Sequence, residues 1–201
     1  MTHSASQPRP QSGRGSAWKN SVLRPLRCRL AHLTFFQCRL FCSMTTKAIP
    51  DGYDSLIPSL IVRDAAKAIE FYREVFGATE LLRMPNSDGS KIAHAELKIR
   101  NNVLMLGDEC PQMGAFAPQL AGSAPCSSVF LYVPGVDEVY QRAIACGAKG
   151  VMPPADMFWG DRMGKFIDPF GHQWGVATHI KEVSPEACAQ AAAEWAAKQP
   201  A

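Results

Sequence analysis

The chain has 201 residues, 47% hydrophobic and 19% charged, enough length and apolar content to bury one substantial core, so disorder throughout is excluded. The net charge of +3 is unevenly spread: residues 1–43 hold six Arg and one Lys with no Asp or Glu, which leaves 14 basic against 18 acidic residues, a net −4, in 44–201. Affinity for nucleic acid needs clustered Lys and Arg, so no nucleic-acid partner is expected for the body of the protein.

Residues 1–43 are rich in Ser, Arg and Gln and turn apolar in LAHLTFFQCRLFC, a composition shared with organellar transit peptides. Met44 then opens MTTKAIPDGYDS like a fresh start. Three readings stay open: a targeting segment, a start assigned too far upstream, and a disordered basic extension. In each, the segment stands outside the fold, and its deletion should leave folding intact. Arg24, Arg27, Arg29 and Arg39 interrupt the apolar run, so no membrane span is expected. The seven cysteines are odd in number and lack a CxxC pair, which argues against a disulfide framework or a zinc site. Cys110, Cys126, Cys146 and Cys188 read as small apolar fillers. A reducing, cytoplasmic setting is expected, or an organellar one if the extension is a genuine transit peptide.

The folded part is expected over 44–183, with modules at about 53–109 and 127–180 and a C-terminal helix in 184–201. SLIPSLIV (55–62) reads as a buried strand. DAAKAIEFYREVFGA reads as a helix with Asp64 as N-cap, Gly77 as C-cap and Ala65, Ala68, Ile69, Tyr72, Val75 and Phe76 on one face. Three strands follow in ATELLRMP, KIAHAELKIR and NVLMLGDE, with turns at NSDGS and Asn101-Asn102. Residues 110–126 lack period and read as a linker or covering loop. The order then repeats: a strand in SSVFLYV, a helix in VDEVYQRAIACGA with Val136, Val139, Tyr140, Ala143 and Ile144 on one face, and three more strands. Val62 maps to Val133, Gly77 to Gly147 and Val103 to Trp174, an offset of 70 to 71 residues. This is an internal duplication. SPEACAQAAAEWAAK closes the chain as a helix capped by Ser184 with Pro185 at its first position.

The densest stretch is Trp159–His179, WGDRMGKFIDPFGHQWGVATH. In Asp168-Pro169-Phe170-Gly171, Asp, Pro and Gly sit at the first, second and fourth places of a type I turn, so the stretch reads as a hairpin.

Two tandem βαβββ modules, with AIEFYREVFGA in the first helix and DPFGHQW followed by ATH in the last hairpin, resemble the vicinal oxygen chelate superfamily. That group contains glyoxalase I, extradiol dioxygenases and bleomycin and fosfomycin resistance proteins, and the PhnB-like members look most similar. The resemblance covers about 53–183 and implies an α+β fold in which the modules form a curved mixed sheet around a cavity, commonly in a homodimer. It also implies four metal-ligand positions, which fall here on Ile57, Met105, Ser128 and Gly175. None supplies a good donor, so the usual metal site is not expected.

Strand alternation proposes other site residues. In IAHAELKI the run Ala93, Ala95, Leu97, Ile99 suits the helix-packed face, leaving Ile92, His94, Glu96 and Lys98 towards the cavity. His94 and Glu96 are then the candidate catalytic pair, a general base held by a carboxylate, or else a solvated polar stripe. Val129, Leu131 and Val133 would pack on the second helix, so Ser128, Phe130 and Tyr132 line the cavity with Met105. Trp159 is an aromatic wall and Arg162 an anion clamp, unless both serve packing and surface. His172 and His179 line the pocket or form a displaced metal site with Glu96, unless they stabilise the turn or face a dimer partner. Three functions follow: a cofactor-free protein that binds a small molecule, a lyase, isomerase or dioxygenase with a divalent metal at unusual positions, or a purely structural role.

Overall fold

The structure is a computed structural model that describes residues 46–118, 125 and 127–198. The expectations for residues 1–43 lie outside the described residues. Residues 46 onward fall in one compact unit built of two βαβββ modules and a final helix. The α+β class and the tandem modules are as the repeat implied.

Module 1 runs β1 (Ser59–Val62), α1 (Ala65–Phe76), β2 (Thr79–Pro85), β3 (Ile92–Ile99) and β4 (Asn102–Asp108). Module 2 runs β5 (Ser128–Tyr132), α2 (Val136–Ala145), β6 (Lys149–Asp156), β7 (Asp161–Ile167) and β8 (Gln173–His179). Each forms its own four-stranded mixed sheet, in the orders β1-β4-β3-β2 and β5-β8-β7-β6. The first strand of each lies parallel to the last, and the other pairs are antiparallel.

The helices form where the sequence supplies both stripe and caps. Asp64 accepts the Lys67 N–H, and Gly77 closes α1 in the left-handed region at φ 67°. The helix α2 has no side-chain cap at Gly135, and Ile144 points to solvent rather than joining its apolar face. A second device serves both helices: the Ala65 N–H donates to Asp108 Oδ1 at 2.9 Å and the Val136 N–H to Thr178 Oγ1 at 3.0 Å. Asp108 ends β4 and Thr178 is the last residue but one of β8, 70 residues on, so each sheet caps its own helix.

Both modules share one core. Leu60, Val62, Ile69, Tyr72, Leu97 and Leu106 of module 1 belong to the same buried cluster as Val136, Phe166, Trp174 and Val176 of module 2. Trp174 lies 5.4 Å from Tyr72 and 4.6 Å from Phe76, ring centre to ring centre. The DPFG turn fastens this junction. Gly171 N–H returns to Asp168 O at 3.1 Å, as the turn type requires, and Gly171 sits at φ 96°. The Asp168 carboxylate is 2% exposed and accepts four donors: Tyr72 Oη of α1, Trp174 Nε1 and the backbone N–H groups of Phe170 and His172. Burying a carboxylate is costly without such donors. Burial, with the Asp168 charge and hydrogen bond beside it, holds the Tyr72 hydroxyl well above its ordinary pKa.

Three local expectations are corrected. The first strand begins at Ser59, since Pro58 has no N–H to pair and offers only its carbonyl, to Met105 N–H. The β3–β4 turn is Arg100-Asn101, with Arg100 at φ 55°, because Asn102 already pairs with Ile99. The alternation along β3 slips at its start: Ile92 is buried in the core and Ala93 is exposed. The register shifts there, and Asp108 Oδ2 takes the Ile92 N–H at 2.8 Å, so the strand bulges and swaps the faces of these two residues.

The helix α3 (Pro185–Ala197) starts as the Ser184-Pro185 signal dictates and buries no residue fully. Its Trp195 ring meets Phe158 at 6.3 Å. Among the described residues no helix is long and apolar enough to cross a membrane.

Candidate functional site

The face of each sheet turned away from its helix carries one carboxylate held by a tyrosine and a histidine. On module 1, Ala95, Leu97 and Ile99 pack into the core, so His94, Glu96 and Lys98 face the other way. Glu96 is 7% exposed; it accepts a short hydrogen bond from Tyr53 Oη and lies 3.1 Å from His94 Nε2. The bond from Tyr53, then that from His94, holds the Glu96 carboxyl below its usual pKa, and the same contact raises Tyr53. Leu82 and Met84 pair with Glu96 and His94 across β2 and are exposed beside them. Met105 is half-buried opposite Glu96 on β4. The expected pair is thus in contact, and Tyr53 is an addition: it lies 43 residues from Glu96 in a segment without periodicity.

On module 2, Gly164 and Phe166 face α2, which turns Asp161, Met163 and Lys165 to the open side. Asp161 is 3% exposed and accepts from His179 Nδ1 at 2.8 Å, Tyr132 Oη at 2.9 Å and Trp159 Nε1 at 2.9 Å. Burial pushes its carboxyl up, but the three donors more than offset this and its pKa lies below the usual value. The Asp161 hydrogen bond, opposed by desolvation and helped by Glu182, raises His179 above its ordinary value. Phe130, Tyr132 and Trp159 stand around this carboxylate, 48%, 55% and 37% exposed. Ser128 is exposed on the same face of β5. Asp161 was not singled out in the sequence, yet the alternation that sends Phe166 into the core also places it on the open face.

Two expected residues lie elsewhere. The Arg162 guanidinium is bidentate to Asp137 of α2, at 2.7 and 2.8 Å, and takes Asp156 at 2.8 Å. These two carboxylates raise its pKa further. Its fork is therefore filled on the helix side of the sheet and does not face His179 as an anion clamp. His172 Nε2 meets the Ile61 carbonyl at 3.0 Å and its backbone N–H meets Asp168, which places it at the junction of the modules.

The four positions at which the superfamily resemblance implies metal ligands carry poor donors. Ile57 and Met105 offer no hard donor and Ser128 only a neutral hydroxyl. An ideal Cβ at Gly175 would lie 2.9 Å from Phe130 Cδ2 and 3.5 Å from Met163 Cε, so the Phe130 ring fills the space a ligand side chain would need. Among the described residues no three His, Cys, Asp or Glu converge as a metal would require. A groove of about 240 Å³ at the module junction, lined by Leu56, Pro58, Val103, Leu131 and Trp174, is apolar and reaches only Phe130 of the open-face residues.

With the paired βαβββ modules and their open faces described, the class of the protein is settled by comparison. The model of the Glyoxalase/Bleomycin resistance protein/Dioxygenase superfamily matches residues 55–176, and the chain belongs to that superfamily. An uncharacterized protein of Mycobacterium bovis is 43% identical over 133 residues, covering 65% of this chain and 86% of the relative. TioX from Micromonospora sp. ML1 is a similar solved structure, with 30% identity, a TM-score of 0.50, and coverage of 63% of this chain and 99% of TioX. The PhnB protein from Bacillus cereus, described as a putative 3-demethylubiquinone-9 3-methyltransferase, shares the fold at 16% identity and a TM-score of 0.50, over 62% of this chain and 99% of its own.

Proposed function

We propose that the open faces of this protein bind a small polar molecule, without a metal at the four superfamily positions. The observation that carries the reading is the Phe130 ring in the space beside Gly175, where a fourth ligand would have to stand. The donor-poor residues Ile57, Met105 and Ser128 support it. On module 1, His94 and Glu96 form an acid–base pair in which Tyr53 and His94 hold the carboxylate, leaving the imidazole Nδ1 for a ligand hydroxyl or amide. If the ligand is turned over, His94 is the residue placed to move its proton.

The working unit in this proposal is a cytoplasmic homodimer of the PhnB-like kind. Exposed Leu82 and Met84 give the open face of module 1 an apolar rim that a second copy would cover. The last hairpin, DPFGHQW with ATH after it, supports the PhnB-like placement. Elemental analysis of untagged protein tests the metal-free reading: substoichiometric metal is expected, and one Ni, Zn, Mn or Fe per chain would overturn it. Light scattering at micromolar concentration should give the mass of a dimer; a monomer alone removes that part of the proposal.

A further inference from the structure

We infer that His179, held by the buried Asp161, anchors an anionic oxygen of an organic acid whose apolar body lies along Phe130, Tyr132 and Trp159. This rests on the proposal that the open faces bind small molecules and names the ligand chemistry for the face of module 2. A carboxylate only accepts hydrogen bonds, so Asp161 Oδ1 at 2.8 Å requires a proton on His179 Nδ1 and leaves Nε2 to look outward. Nε2 stands 3.3 Å from Glu182 Oε1, so an anionic oxygen already fits there. The Glu182 side chain is 97% exposed, and such a pair is weak enough for a ligand to displace.

The surroundings favour an acid over other ligands. Asp161 is balanced by His179 only while the imidazole is charged; a neutral ring would leave an incoming anion facing a carboxylate. Arg162, the cation of this hairpin with the best geometry for an acid, is committed to Asp137 and Asp156 on the far side. The charged groups facing the imidazole are Asp161 from β7 and Glu182 from the segment after β8, with Tyr132 from β5 sharing the same carboxylate. Because the His179 pKa is raised, the anchor is charged below that value, and affinity for an acid falls as pH rises through it.

The test uses 2-naphthoate and its neutral counterpart 2-naphthamide, titrated into the full chain and followed by calorimetry and by NMR of the side chains on both open faces. Between about pH 6 and about pH 9, naphthoate should weaken by about tenfold, the lower end of what a charge-assisted hydrogen bond contributes, while naphthamide changes little. His179→Gln should remove the pH step in a protein that still folds, with a melting temperature slightly lowered below neutral pH and unchanged above it. Asp161→Asn should move the step to lower pH, the mark of a positioning residue. Glu182→Gln, at a fully solvated site, should tighten naphthoate binding at the lower pH by removing the competing carboxylate. A pH step that survives His179→Gln overturns the anchor, as does weaker naphthoate binding in Glu182→Gln. Equal, pH-independent binding of both probes with shifts at Phe130 and Tyr132 overturns the anchor and leaves the binding face standing. No shift on either open face with either probe overturns both.

Discussion

The two modules have one topology and differ in what they place at matched points. Opposite Glu96, module 1 has Met105 on its last strand; at the matching point module 2 has Gly175 with Lys165 opposite. Module 1 sets its Tyr–carboxylate–His group near the middle of β3, whereas module 2 sets Tyr132, Asp161 and His179 at the end of its sheet, beside Trp159. The duplication thus conserves the frame and frees the open faces. What stays common is what the frame needs: a helix on one side, a parallel closing strand, and a side chain from that strand on the first helical N–H.

The largest predicted effect concerns the link between modules. Asp168→Ala strips the acceptor from Tyr72, Trp174 and two backbone N–H groups in a buried site, and should cost about 4 kcal/mol at one or more per buried donor left unpaired. Urea denaturation measures it; a loss within error would show that the turn does not hold the modules together.

Next is the contrast at Gly175. Gly175→His installs a metal-ligand type where the resemblance to the superfamily implies one, but must displace the Phe130 ring and should cost about 1–3 kcal/mol as overpacking. Adding Phe130→Ala should recover part of that loss. If Gly175→His alone is neutral, the ring does not guard this position.

A smaller difference separates the two cross-strand caps. Thr178→Val should cost about 1 kcal/mol, as for other lost caps. Asp108→Ala should cost more, about 2 kcal/mol, since it also frees the Ile92 N–H that fixes the bulge. Equal losses would mean that the bulge needs no acceptor.

The smallest effect is the pH response of module 2. His179 has a raised pKa in the folded state, so its contribution is complete below about pH 6.5 and lost as pH rises through the raised value. Asp161, with a lowered pKa, contributes above about pH 4 and loses that contribution as pH falls through the folded value. Melting temperatures of wild type should show a shallow decline above neutrality that His179→Gln lacks; identical profiles would mean that the Asp161 contact does not stabilise the charged imidazole.

Periodicity and turn chemistry were enough to read the frame. The stripe of α1, the Asp64 and Gly77 caps and the DPFG turn are local signals, and the turn sets the register that brings Gly175 beside Phe130 and Lys165. The same alternation put His94 with Glu96 and turned Phe130 and Tyr132 to the open face. The partners that complete each site come from elsewhere in the chain and carry no local mark. Tyr53 reaches Glu96 from before the first strand, and Arg162 looks free until Asp137 of α2 is placed beneath it. The Ile92–Ala93 exchange depends on Asp108, 16 residues beyond Ile92, and no pattern within β3 shows it.

Small molecules are proposed to bind the open faces without a metal. The most direct measurement is the NMR titration of 2-naphthoate into untagged full-length protein, with and without excess chelator. Shifts are expected at His179, Phe130, Tyr132 and Trp159 that chelator leaves unchanged. Binding that disappears with chelator and returns with one equivalent of divalent metal would contradict it.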